Sequence, residues 1–418
     1  MAVVPQTNAF DSTPALLREG YRFVSNRCEA LNTDIFRTRL MLKQAVCMRG
    51  EEAARVFYEP GRMTRRKAMP PTALMLLQDF GSVQTLDGEA HRHRKEMFMA
   101  LMTPESMGAL TDGVEETWRR RLRDCQEAGR VELHWEFQSI LCEAVCAWAG
   151  LPLDEGERER RTREFAAMIG GAGAFGPKNW HAMALRRRCE LWTRRQIAAI
   201  RAGRRAVPGG SAADLVAAHQ DLDGRPLDEK IAAVELVNLL RPTVAVARYL
   251  VFVAMALERE PAAREKLRGP GAEDYETWFV QEVRRFYPYF PIIAGRVREP
   301  FIWRDHEFGK DDWVVLDLYG TNHDPRTWED PDVFRPERFA NWDGSPFGLI
   351  PQGGGDHHTG HRCAGEWVTI ELMKRGLRRL GRELRYRVPE QDLTLAMSRM
   401  PAIPPGGFVI EDVRPAED

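Results

Sequence analysis

Cys363 stands in a segment whose residue types suit a thiolate that binds a metal or acts as a nucleophile. It follows a polar loop in which Gly353–Gly355 allow a flat or bulky group to approach the backbone closely. A helical pattern begins directly after it, so the thiol would face the unpaired N–H groups and positive dipole of a helix N-terminus. His361 and the adjacent arginine add further donors. Taken alone, the residue is equally well interpreted as a buried structural cysteine.

The histidines around this cysteine suggest a second kind of site, a zinc centre. His357, His358, His361 and Cys363 lie within seven residues, whereas zinc motifs usually separate their ligand pairs by a folded excursion. Four ligands so close in sequence would strain a tetrahedral geometry, so zinc is the weaker hypothesis. The three glycines are not a phosphate-binding loop either, because no Gly-Lys-Ser/Thr follows them.

A second residue that could do chemistry is Arg241, in the middle of the longest apolar helical pattern. This pattern covers residues 228–258 and repeats its apolar side chains every three or four positions. Pro242, the next residue, predicts a kink or a widened turn there. A guanidinium buried without a partner would be very costly, so Arg241 must meet an anion. A protein carboxylate and an anionic ligand both satisfy this requirement.

The elements that must position these residues are mainly helical. Helices are predicted over residues 51–59, 105–127, 134–149, 155–170, 180–203, 228–258, 259–268, 273–286 and 364–381. Strands are predicted at Phe36–Cys47, Ile292–Val297, Trp313–Leu318 and Phe408–Val413, and loops at Val207–Arg225 and Asn341–Thr359. The fold class is therefore mainly α with a small β component. No linker divides the chain, which predicts a single domain over residues 1–418.

Composition excludes several functional classes. The 418 residues carry 60 Lys and Arg against 61 Asp and Glu, so a net charge of −1 gives no basic field for nucleic acid. The seven cysteines are scattered and form no CxxC pair, unlike a disulfide scaffold. The N-terminal segment does not resemble a secretory signal. The most apolar stretch, Leu239–Leu257, is interrupted by Arg241 and Arg248, so we expect a cytoplasmic protein without a transmembrane segment.

Several short motifs become specific when their order along the chain is considered. They are the His-x-x-Arg of His91 and Arg94, the long helix with Arg241, the Glu-x-x-Arg of Glu282 and Arg285, the segment Arg335–Phe339, and the glycine-rich loop with Cys363. In this order the sequence resembles a cytochrome P450 over essentially its whole length, and within that family the fatty-acid peroxygenase branch. The resemblance implies a P450 fold, with haem b between the long central helix and the Cys-bearing loop.

The resemblance also implies roles for individual residues around the cofactor. Cys363 would be the axial thiolate of the haem iron, a ligand that favours cleavage of the O–O bond. His91 and Arg94 would lie near the haem propionates, and His361 would belong to the same site. The Glu-x-x-Arg pair and the Pro-Glu-Arg-Phe segment would form a structural lock behind the loop. Arg362 adjoins the cysteine directly, a departure from most P450 loops that matches the peroxygenase branch.

On the substrate side, the resemblance implies a long-chain fatty acid whose carboxylate binds to Arg241. Ordinary P450 monooxygenases carry an acid–alcohol pair in the long helix, and Arg241 and Pro242 stand in this region here. The substrate carboxylate would then serve as the acid–base group for hydroxylation at Cα or Cβ by hydrogen peroxide, with no obligatory redox partner. Gln84 and Phe290 would line the substrate channel. The alternatives are a decarboxylase that forms terminal alkenes, in which His often replaces Gln84, and a monooxygenase that depends on a redox partner.

Overall fold

Helices dominate the computed structural model, which describes residues 4–416. The α-helices of these residues are α1 (Thr13–Glu19), α2 (Phe23–Ala30), α3 (Glu51–Phe57), α4 (Pro71–Leu77), α5 (Gly88–Met99), α6 (Pro104–Ala128), α7 (Leu133–Trp148), α8 (Glu155–Gly171), α9 (Pro177–Arg201), α10 (Ala212–Ala218), α11 (Glu229–Ala245), α12 (Ala247–Arg259), α13 (Ala262–Lys266), α14 (Ala272–Phe286), α15 (Leu318–Asn322) and α16 (Glu366–Arg378). The strands are β1 (Ile35–Leu40), β2 (Lys43–Met48), β3 (Met63–Thr64), β4 (Arg130–Glu132), β5 (Ile292–Val297), β6 (Phe301–Trp303), β7 (His306–Phe308), β8 (Trp313–Asp317), β9 (Leu384–Arg387) and β10 (Val409–Pro415). The predicted fold class, mainly α with a small β component, is confirmed.

The strands form three small sheets. The largest has the order β1-β2-β8-β5-β3, in which β2 and β8 are parallel and the other neighbours are antiparallel. The other two sheets are β4-β10-β9 and the hairpin β6-β7. Each strand region predicted from the sequence coincides with one or two of these strands, and β5 has the predicted bounds.

The long helix predicted over residues 228–258 exists as two nearly continuous helices, α11 and α12. Pro242 remains inside α11, although it has no N–H to donate to the helix. The interruption falls at Val246, whose N–H bonds to the carbonyl of Thr243 at 3.1 Å in a tightened turn. The irregularity therefore lies about one turn after the proline rather than at it.

The combined helix Glu229–Arg259 is long and apolar enough to cross a membrane by length and composition alone. However, 94% of its most apolar window is buried inside the protein. It packs against α7, α9 and α16 in the main hydrophobic core. Its hydrophobicity is accounted for by burial at the centre of the fold.

Several helices were not predicted from the sequence, among them α5 and α10. The polar residues of α5 hide its helical period, although this helix positions His91. The helix α10 lies inside the region predicted as a loop at Val207–Arg225. It begins after Ser211, whose Oγ accepts a hydrogen bond from the N–H of Asp214 at 3.4 Å. The turn residues that precede Ser211 dominated the local pattern and concealed this short helix.

Candidate active site

Most of the residues singled out from the sequence line one cavity, which has a volume of about 290 Å³. The predicted site residues that line it are Gln84, His91, Arg241, Pro242, Phe290, His361 and Cys363. Arg94 is the one predicted site residue that does not line it. Residues more than 270 positions apart in the chain thus share a single enclosure.

Cys363 is held at the end of the glycine-rich loop, shortly before the first residue of α16. Its N–H donates to the carbonyl of Gln352 at 3.3 Å, and Nε2 of Gln352 lies 3.8 Å from its Sγ. Gly353 and Gly355 have φ angles of 92° and 82°, which favour glycine. The loop therefore brings backbone without side chains close to the thiol.

Burial raises the pKa of the Cys363 thiol, and the negative charge of Glu366 acts in the same direction. A backbone hydrogen bond from Gly365 and the positive charges of Lys95 and Arg284 lower this pKa. The effect of burial on this pKa therefore exceeds the effect expected from the helix N-terminus, which would favour the thiolate. Coordination to a metal ion deprotonates such a thiol outright.

The histidines of the loop do not form a zinc centre with the cysteine. Within residues 4–416, no group of three or more His, Cys, Asp or Glu side chains is arranged to hold a metal ion. His361 packs its ring against that of His91, with centroids 4.0 Å apart, and His357 packs against Trp367. The zinc hypothesis is not supported.

A buried ion-pair cluster braces the chain behind the Cys-bearing loop. Arg285 donates from Nε and Nη2 to the two carboxylate oxygens of Glu282 at 2.7 and 2.8 Å, and both side chains are fully buried. Glu282 also accepts from the N–H of Arg335 at 2.8 Å and pairs with Arg338 at 3.2 Å. The lock implied by the resemblance is thus formed by these four residues.

A second cluster, centred on Glu366 at the start of α16, was missed from the sequence. Glu366 accepts hydrogen bonds from Arg284 and, at 2.6 Å, from Nε of Arg362. Arg284 also donates to Oε1 of Gln352 at 3.2 Å. The Glu-x-x-Arg pattern identifies Arg285 but not the adjacent Arg284. The partner of Arg284, Glu366, lies 82 residues away, so no local pattern reveals this pair.

Several nitrogen donors line the same cavity and suit the carboxylates of a haem. They are Arg65, His91, Lys95 and His361. Burial lowers the pKa of His91 to about 4 and that of Lys95 to about 8, so His91 is a neutral donor near pH 7. Lys95 also donates to the carbonyls of Gly360 and Arg362, which ties α5 to the Cys-bearing loop. A thiol, a glycine cradle and these donors together fit a haem.

Arg94, which the resemblance places near the haem propionates, does not line the cavity. Its Nη1 donates to Oε1 of Glu235 at 3.0 Å, and its Nη2 donates to Oδ1 of Asp221 at 2.6 Å. Glu235 is fully buried in α11 and requires a cationic partner. Arg94 therefore supports the long helix, and Lys95, the next residue, faces the cavity instead.

Arg241 is buried, at 6% exposure, and lines the cavity. Its Nη2 donates to the carbonyl of Leu77, while its Nε has no hydrogen-bond partner. Among residues 4–416, no Asp or Glu oxygen lies within 4.0 Å of this guanidinium. Burial lowers the pKa of Arg241 to about 9, and nearby Arg186 acts in the same direction. The side chain is therefore still mostly charged at neutral pH.

Gln84 and Phe290 complete the predicted substrate side. Oε1 of Gln84 accepts a hydrogen bond from Nδ2 of Asn238 at 3.3 Å, and Asn238 lies within one turn of Arg241 on α11. Phe290 contacts Tyr289 edge-on, with ring centroids 4.9 Å apart. Both predicted residues thus line the cavity that also contains the guanidinium of Arg241.

Comparison with known proteins identifies the family. The family model described as cytochrome P450 matches residues 274–409, which include both ion-pair clusters and the Cys-bearing loop. The solved structure of cytochrome P450SP alpha (CYP152B1) in complex with (R)-ibuprophen is 46% identical to this chain. It covers 97% of this chain and 99% of its own, with a TM-score of 0.94. This chain belongs to the cytochrome P450 family.

Other solved P450s extend the similarity over the whole chain. Cytochrome P450EX alpha (CYP152N1) with myristic acid is 39% identical, covers 100% of both chains and has a TM-score of 0.96. A variant of cytochrome P450 OleT in complex with arachidonic acid is 34% identical, with the same coverage and TM-score. The branch expected from the sequence, the fatty-acid peroxygenases, is therefore confirmed for this P450.

Matches to curated P450s and related enzymes are shorter. Rhazimal synthase of Alstonia scholaris is 30% identical over 149 residues, which are 31% of this chain and 30% of that protein. Cytochrome P450 4A7 of Oryctolagus cuniculus is 27% identical over 140 residues, or 30% of this chain and 27% of that protein. The matched segments therefore span about 30% of these curated relatives.

Proposed function

We propose that this P450 hydroxylates long-chain fatty acids at Cα or Cβ with hydrogen peroxide. The reaction converts R–H and H₂O₂ into R–OH and H₂O, so it requires no external electron donor and no obligatory redox partner. The observation that supports this proposal is the position of Arg241 in the cavity that also contains Cys363, since Arg241 is a buried cation that has no acidic partner within the described residues 4–416.

The family is one of haem-thiolate proteins, and the residues of this cavity suit haem b. Cys363 would bind the haem iron through its thiolate, and Arg65, His91, Lys95 and His361 would bind the haem carboxylates. When bound, a thiolate-ligated haem supplies the iron chemistry that cleaves the O–O bond of peroxide.

Arg241 would fix the reacting carbons of the substrate. A guanidinium binds a carboxylate through two parallel hydrogen bonds, which sets its orientation as well as its position. An anchored carboxylate holds Cα and Cβ at a fixed place in the cavity, and such positioning contributes much of the rate advantage of an enzyme.

The bound carboxylate would also supply the acid–base group. Within the part of the chain that the structure describes, none of the side chains that line the cavity is Asp or Glu. The cavity thus lacks the protein acid on which ordinary P450 monooxygenases rely. A substrate carboxylate beside Arg241 would accept a proton from the peroxide and return it, and Pro242 would shape the helix at this point.

Solved relatives support an acidic ligand. Cytochrome P450EX alpha was solved with myristic acid, and the OleT variant was solved in complex with arachidonic acid. Both ligands are long-chain carboxylic acids, the class that the unpaired guanidinium of this chain would recognise.

The decisive experiment uses purified, haem-loaded protein with myristic acid and hydrogen peroxide, in the absence of any reductase. We expect 2-hydroxy and 3-hydroxy acids by mass spectrometry. A terminal alkene as the main product would favour the decarboxylase alternative. Turnover only after the addition of a reductase and a reduced nicotinamide cofactor would favour the redox-partner alternative.

Replacement of Gln84 by histidine is expected to raise the alkene fraction of the products several-fold. An imidazole exchanges protons near neutral pH, whereas an amide only accepts and donates hydrogen bonds. The ratio of alkene to hydroxy acid measures the effect. Gln78→His, a change at a second glutamine of the cavity wall, serves as the matched control. An unchanged ratio in Gln84→His would argue against a role of this side chain in product choice.

The specificity constant for fatty acids should fall as the pH rises through about 9. The pKa of Arg241 is lowered to about 9 by burial, and kcat/KM reports ionisations of the free enzyme. A neutral guanidine no longer attracts the substrate carboxylate. The binding of an uncharged substrate analogue, measured as its dissociation constant over the same pH range, controls for other groups such as Lys95, whose pKa is lowered by burial to about 8. Equal pH profiles for the fatty-acid kcat/KM and for the binding of the uncharged analogue would contradict the prediction.

A further inference from the structure

Gln352 contacts Cys363 through both its main chain and its side chain. The carbonyl of Gln352 accepts a hydrogen bond from the N–H of Cys363 at 3.3 Å. Its Nε2 lies 3.8 Å from Sγ of Cys363, within the range of a hydrogen bond to sulfur. The side chain also lines the cavity.

The surroundings of Gln352 fix the orientation of its amide. Oε1 accepts from Nη2 of Arg284 at 3.2 Å, and a guanidinium has donors only, so this end of the amide must be the oxygen. Arg284 is itself held by the carboxylate of Glu366. The NH₂ end therefore faces the sulfur.

The two amide hydrogens have separate acceptors. One is directed towards the sulfur of Cys363. The other is directed towards Oγ1 of Thr369, 3.3 Å from Nε2. Thr369 donates its own hydrogen to the carbonyl of Gly365 at 2.8 Å, so it is an acceptor for Gln352. The amide thus has one hydrogen for each of these two acceptors.

We propose that the side-chain amide of Gln352 tunes the axial thiolate by donating an N–H···S hydrogen bond to Cys363. The inference rests on the proposed haem-thiolate function. A hydrogen bond to sulfur withdraws electron density from the thiolate, which would raise the reduction potential of an iron bound to it. The effect is strengthened because the group lies in a buried, low-dielectric environment. Gln352 is a positioning residue that acts through Cys363.

The test compares haem-loaded Gln352→Leu with the unaltered protein. Leucine has nearly the size of glutamine but cannot donate to sulfur. We expect a more negative ferric/ferrous reduction potential. We also expect a higher Fe–S stretching frequency in resonance Raman spectra and a lower C–O stretching frequency in the ferrous carbon-monoxide adduct. These readouts are independent of turnover.

Gln281→Leu is the matched control. Oε1 of Gln281 accepts a hydrogen bond from Arg284, as does that of Gln352, but Gln281 makes no hydrogen bond to Cys363. Equal shifts in both variants, or no shift in Gln352→Leu, would overturn the proposal, since the effect would then pass through Arg284 or be absent.

A second variant covers the case in which Gln352→Leu does not bind haem. Gln352→Glu keeps an oxygen for Arg284 and removes the donor, so it should shift the potential in the same direction. An unshifted potential in this variant would overturn the proposal. A failure of the proposed haem-thiolate site would look different, because the unaltered protein would then show no thiolate-type absorption band as its ferrous carbon-monoxide adduct. Failure of fatty-acid hydroxylation alone would leave this band, and the comparison of reduction potentials, intact.

Discussion

Replacement of Arg241 by alanine is expected to abolish fatty-acid hydroxylation while leaving haem content close to that of the unaltered protein. The variant would lose the group that binds the carboxylate, and with it the substrate's acid–base function at the reacting centre. We expect kcat/KM to fall by roughly 100-fold or more, the scale of losses from misplaced substrates and missing acid–base groups. Steady-state product formation and haem content measure the two effects.

The fold should tolerate this substitution. Arg241 has no acidic partner among residues 4–416, so its removal leaves no buried carboxylate without a counter-ion. Arg241→Lys is the matched control, because it keeps a positive charge and loses the planar fork. We expect its activity to lie between those of the unaltered protein and Arg241→Ala.

A complementary measurement supplies the carboxylate separately. An uncharged substrate should react poorly with the unaltered protein, and a short carboxylic acid should restore its turnover by occupying the site at Arg241. The same acid should have no effect on Arg241→Ala. Full fatty-acid turnover by Arg241→Ala would falsify the role of this residue as the carboxylate anchor.

Replacement of Cys363 by serine is expected to remove the thiolate signature of the ferrous carbon-monoxide adduct and to reduce peroxide-driven turnover to background. Serine keeps the approximate size of the side chain but cannot provide the electron donation of a thiolate. Absorption spectroscopy of the reduced, carbon-monoxide-treated protein measures the first effect, and product analysis measures the second.

The remaining cysteines provide the control for this variant. Cys125, partly buried in α6, does not line the cavity. Cys125→Ser should keep both the thiolate signature and the turnover. If Cys363→Ser retained the thiolate signature, the axial ligand would be another cysteine, and the proposed site would be misplaced.

Much of this site was predictable from residues close together in sequence. The glycine-rich loop and the cysteine after it are local features, and so is the apolar repeat that marks the central helix. Local patterns record the periodic burial of side chains, and for this reason β5 was predicted with its observed bounds. The charge of Arg241 within that repeat signalled an anion, although the pattern could not say which one.

The hydrogen-bond and ion-pair partners of buried polar side chains were not predictable from such local patterns. Arg94 and Lys95 are neighbours on α5, yet Arg94 pairs with Glu235 whereas Lys95 contacts the Cys-bearing loop. The choice depends on how α5 is rotated against α11, and no pattern within α5 records this rotation. The same holds for Arg284 and Gln352, whose contacts connect α14, the loop and α16.

The sequence by itself determined the family and the dominance of helices, and it singled out Cys363 and Arg241 as candidate site residues. Only the tertiary structure decided that no carboxylate of residues 4–416 lies within 4.0 Å of the Arg241 guanidinium and that the side chain of Gln352 contacts the sulfur of Cys363. The physical reason is that a charged or polar group in the core is stabilised by whichever partners the packing brings within about 3 Å. Those partners come from distant segments, and their approach is fixed by the packing of the whole core.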